Sequence, residues 1–372
     1  MIFVNETTCP ASWTVGYQRD GRERLIVVVK GTFTLPENGE PTVLAPQQQA
    51  LVEADQFIGE PGYSAPLRET DYAHCKTACD VLLLGSAHAP GQRAALRVQV
   101  GLQVGAMTKR FDVTGPRVWH RRLGTSVMAA SAPAAFERLP IHYGTAFGGV
   151  DRSEEKRTGR VDTFLPNPAG RGFARHPASL DGQLLPFTSE HGKPVTQAEA
   201  RYTPMAFSPI GRNWLPRSRF AGTYDQQWID NTAPCWPDDF DDRYFQAAPP
   251  DQIIAFPCAP LDVRLSNLTP DGDRRFTIPH RPMPVTFIPY QGRDVERDAL
   301  LDTIVLEPDE ARYTLTWRSV LPLGKSIFDV REVIVGERSR AARMTRRFAG
   351  KPWYPSLADA VRALDRRKGS RS

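Results

Sequence analysis

Ser86 and His88 stand two residues apart at the end of an apolar run, in Gly85-Ser86-Ala87-His88-Ala89-Pro90. In extended chain, residues i and i+2 share one face. A serine nucleophile beside a histidine base is therefore open to a hydrolase. The competing reading is a turn in which Ser, His and Pro close a strand. His74-Cys75-x3-Cys79 has the residue types of half a metal site, but a complete site needs a second ligand pair, and Cys235 and Cys258 stand singly. Gly324-Lys325-Ser326 ends like a phosphate-binding loop, yet the position that needs the first glycine is Ser319, and Pro322 interrupts the stretch. Asp238, Asp239, Asp241 and Asp242 crowd around Phe240 without the spacing of a calcium loop. They suit hydrogen bonds from backbone N–H groups or from Arg217, Arg219 and Arg243. Each motif is incomplete. No catalytic, cofactor-binding or metal-ligating residue is assigned, no cofactor is expected, and the chain reads as a protein that is not an enzyme.

The densest concentration of distinctive residues is 207–252, FSPIGRNWLPRSRFAGTYDQQWIDNTAPCWPDDFDDRYFQAAPPDQ. Residues 201–250 hold ten aromatic side chains and seven prolines, whereas aromatics make up 9% of the whole chain. A disordered linker is poor in aromatics, and a core helix does not carry this much proline. The segment therefore reads as irregular but ordered, pinned by rings and stiff turns, and long ordered loops are commonly functional. Trp214, Tyr224, Trp228, Trp236, Tyr244 and Phe245 are candidates for core, interface or both, because rings with a polar tip gather where protein surfaces meet.

The elements that must hold this segment read as short strands. Residues 25–33 (LIVVVKGTF) and 80–85 (DVLLLG) are apolar runs. Leu96, Val98, Val100, Leu102 and Val104 alternate with the period of a half-buried strand. Phe111 and Val113 continue as its partner across a turn at 105–108. Further strands are expected at 261–268, 303–306, 313–317 and 328–335, with Tyr313, Leu315 and Trp317 alternating. Loops are expected at 151–160 and 178–200. The best helix is 356–367, where Leu357, Val361 and Leu364 recur at helical spacing behind Pro355 and Ser356. The fold class is mainly β: antiparallel sheets in a sandwich or barrel-like body, long ordered Pro/aromatic-rich loops and a short C-terminal helix. Residues 1–337 form one β-rich domain, with room for two β subdomains and a break near 130–200. Residues 338–372 form a basic tail.

The net charge of +5 misleads about partners. Residues 338–372 carry eleven Arg or Lys and two Asp, which leaves 36 basic against 40 acidic residues in the rest. A basic body that binds nucleic acid is not expected. The tail reads as a solvated helix face with a frayed end, or as a docking surface for an acidic partner. Five scattered cysteines suit a reducing compartment. The N-terminal residues MIFVNETTCPASW have no basic region before an apolar core, and no stretch approaches the ~20 apolar residues of a membrane span. A cytoplasmic protein without a membrane span is expected.

Several pieces carry a family resemblance: 80–90 (DVLLLGSAHAP), 143–149 (YGTAFGG), 167–173 (NPAGRGF), the 207–252 segment, 265–279 (LSNLTPDGDRRFTIP) and 321–335 (LPLGKSIFDVREVIV). The chain resembles the DUF2169 family, bacterial proteins encoded beside type VI secretion genes. The resemblance implies a cytoplasmic adaptor or chaperone that binds a secreted effector protein and helps load it onto the VgrG spike protein. It implies no catalytic residues. Some relatives carry fused pentapeptide repeats, and no such repeat is visible here.

An adaptor holds a partner without chemistry, through apolar and aromatic surface with a polar rim. The expected partner-binding residues are Trp214, Arg217, Tyr224, Trp228, Asp239, Phe240, Tyr244 and Phe245, supported by residues 167–173. Arg217 and Asp239 are expected to orient the partner. Two other readings stand beside this one. A carbohydrate-active or other hydrolase would use the same rings and carboxylates. A structural accessory of the secretion apparatus would be found in assembled particles. Oligomeric state is left open.

Overall fold

The β-branched run at residues 26–29 favours extended chain, and it lies at the centre of the longest strand, Glu23–Thr34. The structure is a computed structural model that describes residues 1–125, 127–324, 326–337, 354 and 356–362. The chain divides into two compact units. The larger is built from Cys9–Pro282 and Ala299–Ile327, and so contains the whole of residues 130–200. The smaller combines Met1–Thr8 and Met283–Asp298 with the described residues from Phe328 onward.

The smaller unit holds a four-stranded sheet in the order Ile2–Asn5, Val330–Val335, Pro284–Pro289, Val295–Asp298. Its first pair is parallel and the other two are antiparallel. Of the expected helix 356–367, residues 357–362 are helical. Ser356 Oγ accepts the Asp359 N–H at 3.2 Å, the expected cap. Residues 363–367, and all of the basic tail except 354 and 356–362, lie outside the described residues.

The larger unit contains two main sheets. One has six strands in the order Ile253–Ile254, Cys79–Leu83, Leu300–Glu307, Arg312–Pro322, Glu23–Thr34, Ala11–Tyr17. The other has five, in the order Thr188–Glu190, Met107–Thr114, Arg97–Val104, Leu261–Ser266, Asp273–Ile278. The protein is mainly β, as its sequence indicates, and none of the sheets closes into a barrel among the described residues. The five-stranded sheet is wholly antiparallel. The six-stranded sheet is mixed, because Cys79–Leu83 runs parallel to Leu300–Glu307. Two expected loops contain regular structure: a short helix, Glu155–Thr158, and an edge strand, Thr188–Glu190. Leu96 lies just outside its strand and is exposed.

The alternation of Tyr313, Leu315 and Trp317 marks one face of a strand that proves buried on both. On the apolar face Tyr313 stacks on Phe33 at 5.1 Å and meets Phe276 of the five-stranded sheet at 5.5 Å. On the other face lie Lys30, Thr314, Thr316 and Arg318, all buried. Their charges are answered there: Lys30 Nζ donates to Asp71 at 2.8 Å, and Arg318 Nε to Asp302 at 2.6 Å. An alternating pattern thus has two meanings, a solvated face or a buried polar one, and only the covering chain decides between them.

That covering chain includes the Pro/aromatic-rich segment, which is fixed to the sheet by polar clamps. Asp80 has no exposed surface. It accepts hydrogen bonds from Lys76 Nζ at 2.6 Å, Gln246 Nε2 at 2.9 Å and the Ala247 N–H at 2.8 Å. Gln252 is also fully buried. Its amide donates to the Val81 and Phe207 carbonyls at 2.7 and 3.0 Å and accepts from Lys109 Nζ at 2.8 Å. Lys109 belongs to the five-stranded sheet and Val81 to the six-stranded one, so one side chain ties both.

Lys76 shows what sets the energy of this clamp. Burial alone lowers its ammonium pKa, but Asp80, with Asp302 and Glu69, outweighs burial and raises it. Removing the carboxylate strands a buried charge. Asp80→Asn is expected to cost ~3–5 kcal/mol in urea unfolding, and adding Lys76→Met to restore part of that loss. Equal stability of Asp80→Asn and the unsubstituted chain would remove the clamp from the account.

Candidate functional site

Residues 207–252 descend from the sheet through a series of buried rings. Phe207 packs on Phe111 at 4.6 Å, and Trp214 meets Tyr143 edge-on at 5.4 Å. Further on, Trp236, Phe240, Tyr244 and Phe245 form one cluster with His74, with Trp236 and Phe240 at 4.3 Å and His74 stacked on Phe245 at 5.3 Å. Gly222 permits the return of the chain. Its φ is +82°, and a Cβ there would lie 2.9 Å from Pro237 and 3.0 Å from Asp239 Oδ1. The turn brings Thr223 against Asp239, which accepts its N–H at 2.9 Å and its hydroxyl at 2.7 Å.

This geometry corrects the expected roles of several residues. Trp214, Phe240 and Phe245 are buried, so their rings hold the segment together and are not offered to a partner. Arg217 is 2% exposed, and a guanidinium with that little access to solvent cannot steer an approaching protein. It donates instead to the Ile210 carbonyl at 2.9 Å, the Tyr244 carbonyl at 2.8 and 3.1 Å, and Glu69 at 2.7 Å, cross-linking three parts of the chain. Tyr244 is half-buried within the ring cluster. Residues 167–173 are likewise internal at their start. Asn167 has no exposed surface and donates to the Tyr143 and Phe147 carbonyls at 2.9 Å each. It locks the 143–149 and 167–173 pieces together, where Phe147–Gly148 pairs in parallel with Arg171–Gly172.

Two expected residues remain exposed, and a third, Trp228, is half-buried beside one of them. Asp239 is exposed and sits beside Thr223. Tyr224 is 52% exposed and meets Trp228 edge-on at 4.8 Å. Trp228 lies on the one-and-a-half-turn helix Gln226–Asn231, whose N-terminus is capped by Asp225 at 2.9 Å. Its indole N–H donates to the Cys235 carbonyl at 3.0 Å, while the next residue, Ile229, is 56% exposed.

Two carboxylates of this segment, Asp239 and Asp241, are held ionised. Hydrogen bonds from Thr223 keep Asp239 below the usual carboxylate range, and those from Arg243 do the same for Asp241. A glycosidase acid needs the opposite shift. Ser86 and His88 do share a face, but Asp309 lies between them. It accepts from Ser86 Oγ at 2.8 Å and meets His88 Nε2 at 3.1 Å, while Arg138 donates to Ser86 Oγ at 3.1 Å. The serine proton is directed to a carboxylate and not to the histidine, which is the arrangement of a polar strand closure. Of the Gly324-Lys325-Ser326 piece, residue 325 lies outside the described residues.

Three cavities of about 300, 250 and 380 Å3 adjoin in the larger unit, and Arg68 lines all of them. Most charges on their walls are paired internally. Arg68 and Arg312 both hold Glu307, the latter at 2.7 Å, and Arg212 reaches Asp55 at 2.9 Å and Glu69 at 2.7 Å. Burial acts to raise the pKa of Glu307, but the two arginines overcome it and hold the carboxyl low.

In half-buried His74, burial, with Arg24, Arg212 and Arg318 nearby, lowers the pKa below that of a free histidine. Its Nδ1 has no hydrogen-bond partner among the described residues. The adjacent Cys75 thiol is pushed up to about 12 by burial and by Asp242. The imidazole is thus neutral when folded, and its contribution to stability is complete above the unfolded pKa of ~6.5. As pH falls below that value, the unfolded chain takes up a proton first, and stability drops. Thermal melts at pH 7.5 and 5.5 are expected to show a lower Tm at 5.5. His74→Phe, which keeps the ring stack, is expected to narrow the difference, and an unchanged difference would assign the pH effect elsewhere.

No helix among the described residues is long and apolar enough to cross a membrane. Neither curated proteins nor solved structures provide a match to the chain. A family model described as "Uncharacterized protein conserved in bacteria (DUF2169)" matches residues 20–318. That span holds both main sheets except the strand Ala11–Tyr17 and the last residues of Arg312–Pro322, together with the entire ring-rich segment, and the chain belongs to the DUF2169 family.

Proposed function

We propose that this chain is a cytoplasmic, non-catalytic adaptor that binds a type VI secretion effector and helps load it onto the VgrG spike. The observation that carries this reading is the state of residues 207–252. Buried rings, Arg217 and the Asp80 and Gln252 clamps hold the segment to the sheets, yet Tyr224 and Ile229 stay exposed beside Trp228. A stiff support under accessible apolar side chains lets a partner bind without first ordering the surface, which limits the entropy lost on association. Exposed Asp239 and Arg243 supply a polar rim.

The test is co-expression of the chain with the proteins encoded beside it, followed by affinity capture and identification of what co-purifies. An effector and VgrG are the expected companions. Tyr224→Ala combined with Ile229→Ala is expected to weaken effector capture by about tenfold, a loss of ~1.4 kcal/mol, with Tm unchanged. Trp214→Ala is expected to lower Tm instead. Full capture by the double variant would move the face elsewhere, and turnover of a substrate by the purified chain would end the adaptor reading.

A further inference from the structure

Four strands form the outer edges of the two main sheets, and natural sheets protect such edges because their unpaired N–H and C=O groups invite another strand. Three of the four are protected. Ile253–Ile254 and Thr188–Glu190 are two and three residues long. Asp273–Ile278 is longer, but it carries Asp273, Arg274 and Arg275, and other side chains occupy its outer backbone groups. Asn38 bonds the Asp273 carbonyl at 3.0 Å and the Arg275 N–H at 2.7 Å, and Thr42 bonds the Thr277 carbonyl at 3.0 Å.

Ala11–Tyr17 has none of these devices. It is seven residues long, with no charge, no proline and an unbroken register against Glu23–Thr34. Its hydrogen-bond phase follows from the bonds at its two ends. The Pro10 carbonyl accepts from Lys30 N–H at 2.9 Å, and the Gln18 N–H donates to the Arg22 carbonyl at 2.8 Å. In an antiparallel pair inward and outward residues alternate, so even positions face Glu23–Thr34 while Ala11, Trp13, Val15 and Tyr17 point their backbone groups outward. Among the described residues no hydrogen bond reaches those outward groups. The side chains of the same residues share one face, where Trp13 is 39% and Tyr17 50% exposed.

We infer that Ala11–Tyr17 is the edge onto which an extended segment of the partner polypeptide adds as a seventh strand, with apolar side chains against Trp13 and Tyr17. A row of donors and acceptors at every second residue fits another extended backbone. Rings on the same face give the added strand side chains to pack on at ~5 Å. A second copy of this chain is the weaker occupant. Self-pairing of this edge spans only ~23 Å, a narrow ribbon far short of the ~800 Å2 per partner of a stable complex. A partner that also contacts other surfaces has no such shortfall. The inference rests on the reading of this chain as a protein that binds another polypeptide.

Val15→Pro tests it, because proline removes an outward N–H and obstructs an added strand while leaving every inward bond in place. Val15→Thr keeps the N–H and serves as the control. The probe is the effector captured in the co-expression experiment, titrated against all three forms, with single-residue amide exchange followed by NMR. Val15→Pro is expected to weaken binding by about tenfold or more with Tm within a few degrees of the parent, and Val15→Thr to bind normally. On binding, the amides of Trp13, Val15 and Tyr17 gain protection while those of Ser12, Thr14 and Gly16, already bonded, change little. Undiminished binding by Val15→Pro, or no gain at the odd positions, overturns the edge and leaves the adaptor reading intact. Odd-position protection that rises with the concentration of the chain alone assigns the edge to a second copy and overturns the partner. Failure of the unsubstituted chain to capture any neighbour-encoded protein overturns both readings.

Discussion

A carboxylate without access to water, Asp80, decides how the irregular part of this molecule is arranged. It sits in Cys79–Leu83, a strand paired on both sides, and a buried charge must find compensation close by or cost several kcal/mol. Lys76 neutralises it, while Gln246 and the Ala247 N–H fill its remaining acceptor sites. Satisfying Asp80 therefore fixes residues 246–247 in space. Gln252 repeats the device five residues on, with the Val81 and Phe207 carbonyls and Lys109. Between these points and the ring cluster, a stretch with almost no regular structure has little freedom left.

The same principle extends over one face of the six-stranded sheet. Lys30, Thr316 and Arg318 turn toward Asp71 and Asp302, not toward an apolar layer. A greasy layer of equal volume would hold the sheet at least as firmly, since buried ion pairs rarely add net stability. What paired charges do supply is geometry. Lys30 donates to Asp71 at 2.8 Å, and Asp71 in turn accepts the Val52 N–H at 2.7 Å. The chain that covers the sheet is thereby set in a single register, and the neighbouring cavities keep walls whose charges are mostly paired.

Much of the β framework is legible in the chain. The run at 26–29, the alternation from Val98 to Val104 and the ring-rich stretch all read correctly as strand, strand and ordered loop. The strand Ala11–Tyr17 was also within reach, since Trp13, Val15 and Tyr17 alternate, but its short polar-looking spacing is weak beside the apolar runs. What the chain does not display is which face is covered. Tyr313, Leu315 and Trp317 look like one side of a half-solvated strand, and only chain folded over from residues 48–76 shows that Thr314, Thr316 and Arg318 are inside. The candidate site suffers from the same ambiguity. Arg217 and Tyr224 look equally available in sequence, yet one lies under four hydrogen bonds and the other stands in solvent. Long-range partners such as Glu69 and Asp309 leave no local signature.

The position of Glu23–Thr34 in the sheet has a consequence for biosynthesis. One of its neighbours is Ala11–Tyr17, made just before it, but the other is Arg312–Pro322. Residues 35–311 must leave the ribosome before that second neighbour exists, which at ~5–20 residues per second takes tens of seconds. Throughout this interval an apolar, β-branched stretch waits half-paired in a crowded cell. Cys79–Leu83 likewise waits for residues 84–299 before its parallel neighbour Leu300–Glu307 exists. Translation speed and trigger-factor-like holdases thus become determinants of yield, and synonymous codons over residues 35–311 become a lever on how much protein reaches its folded form.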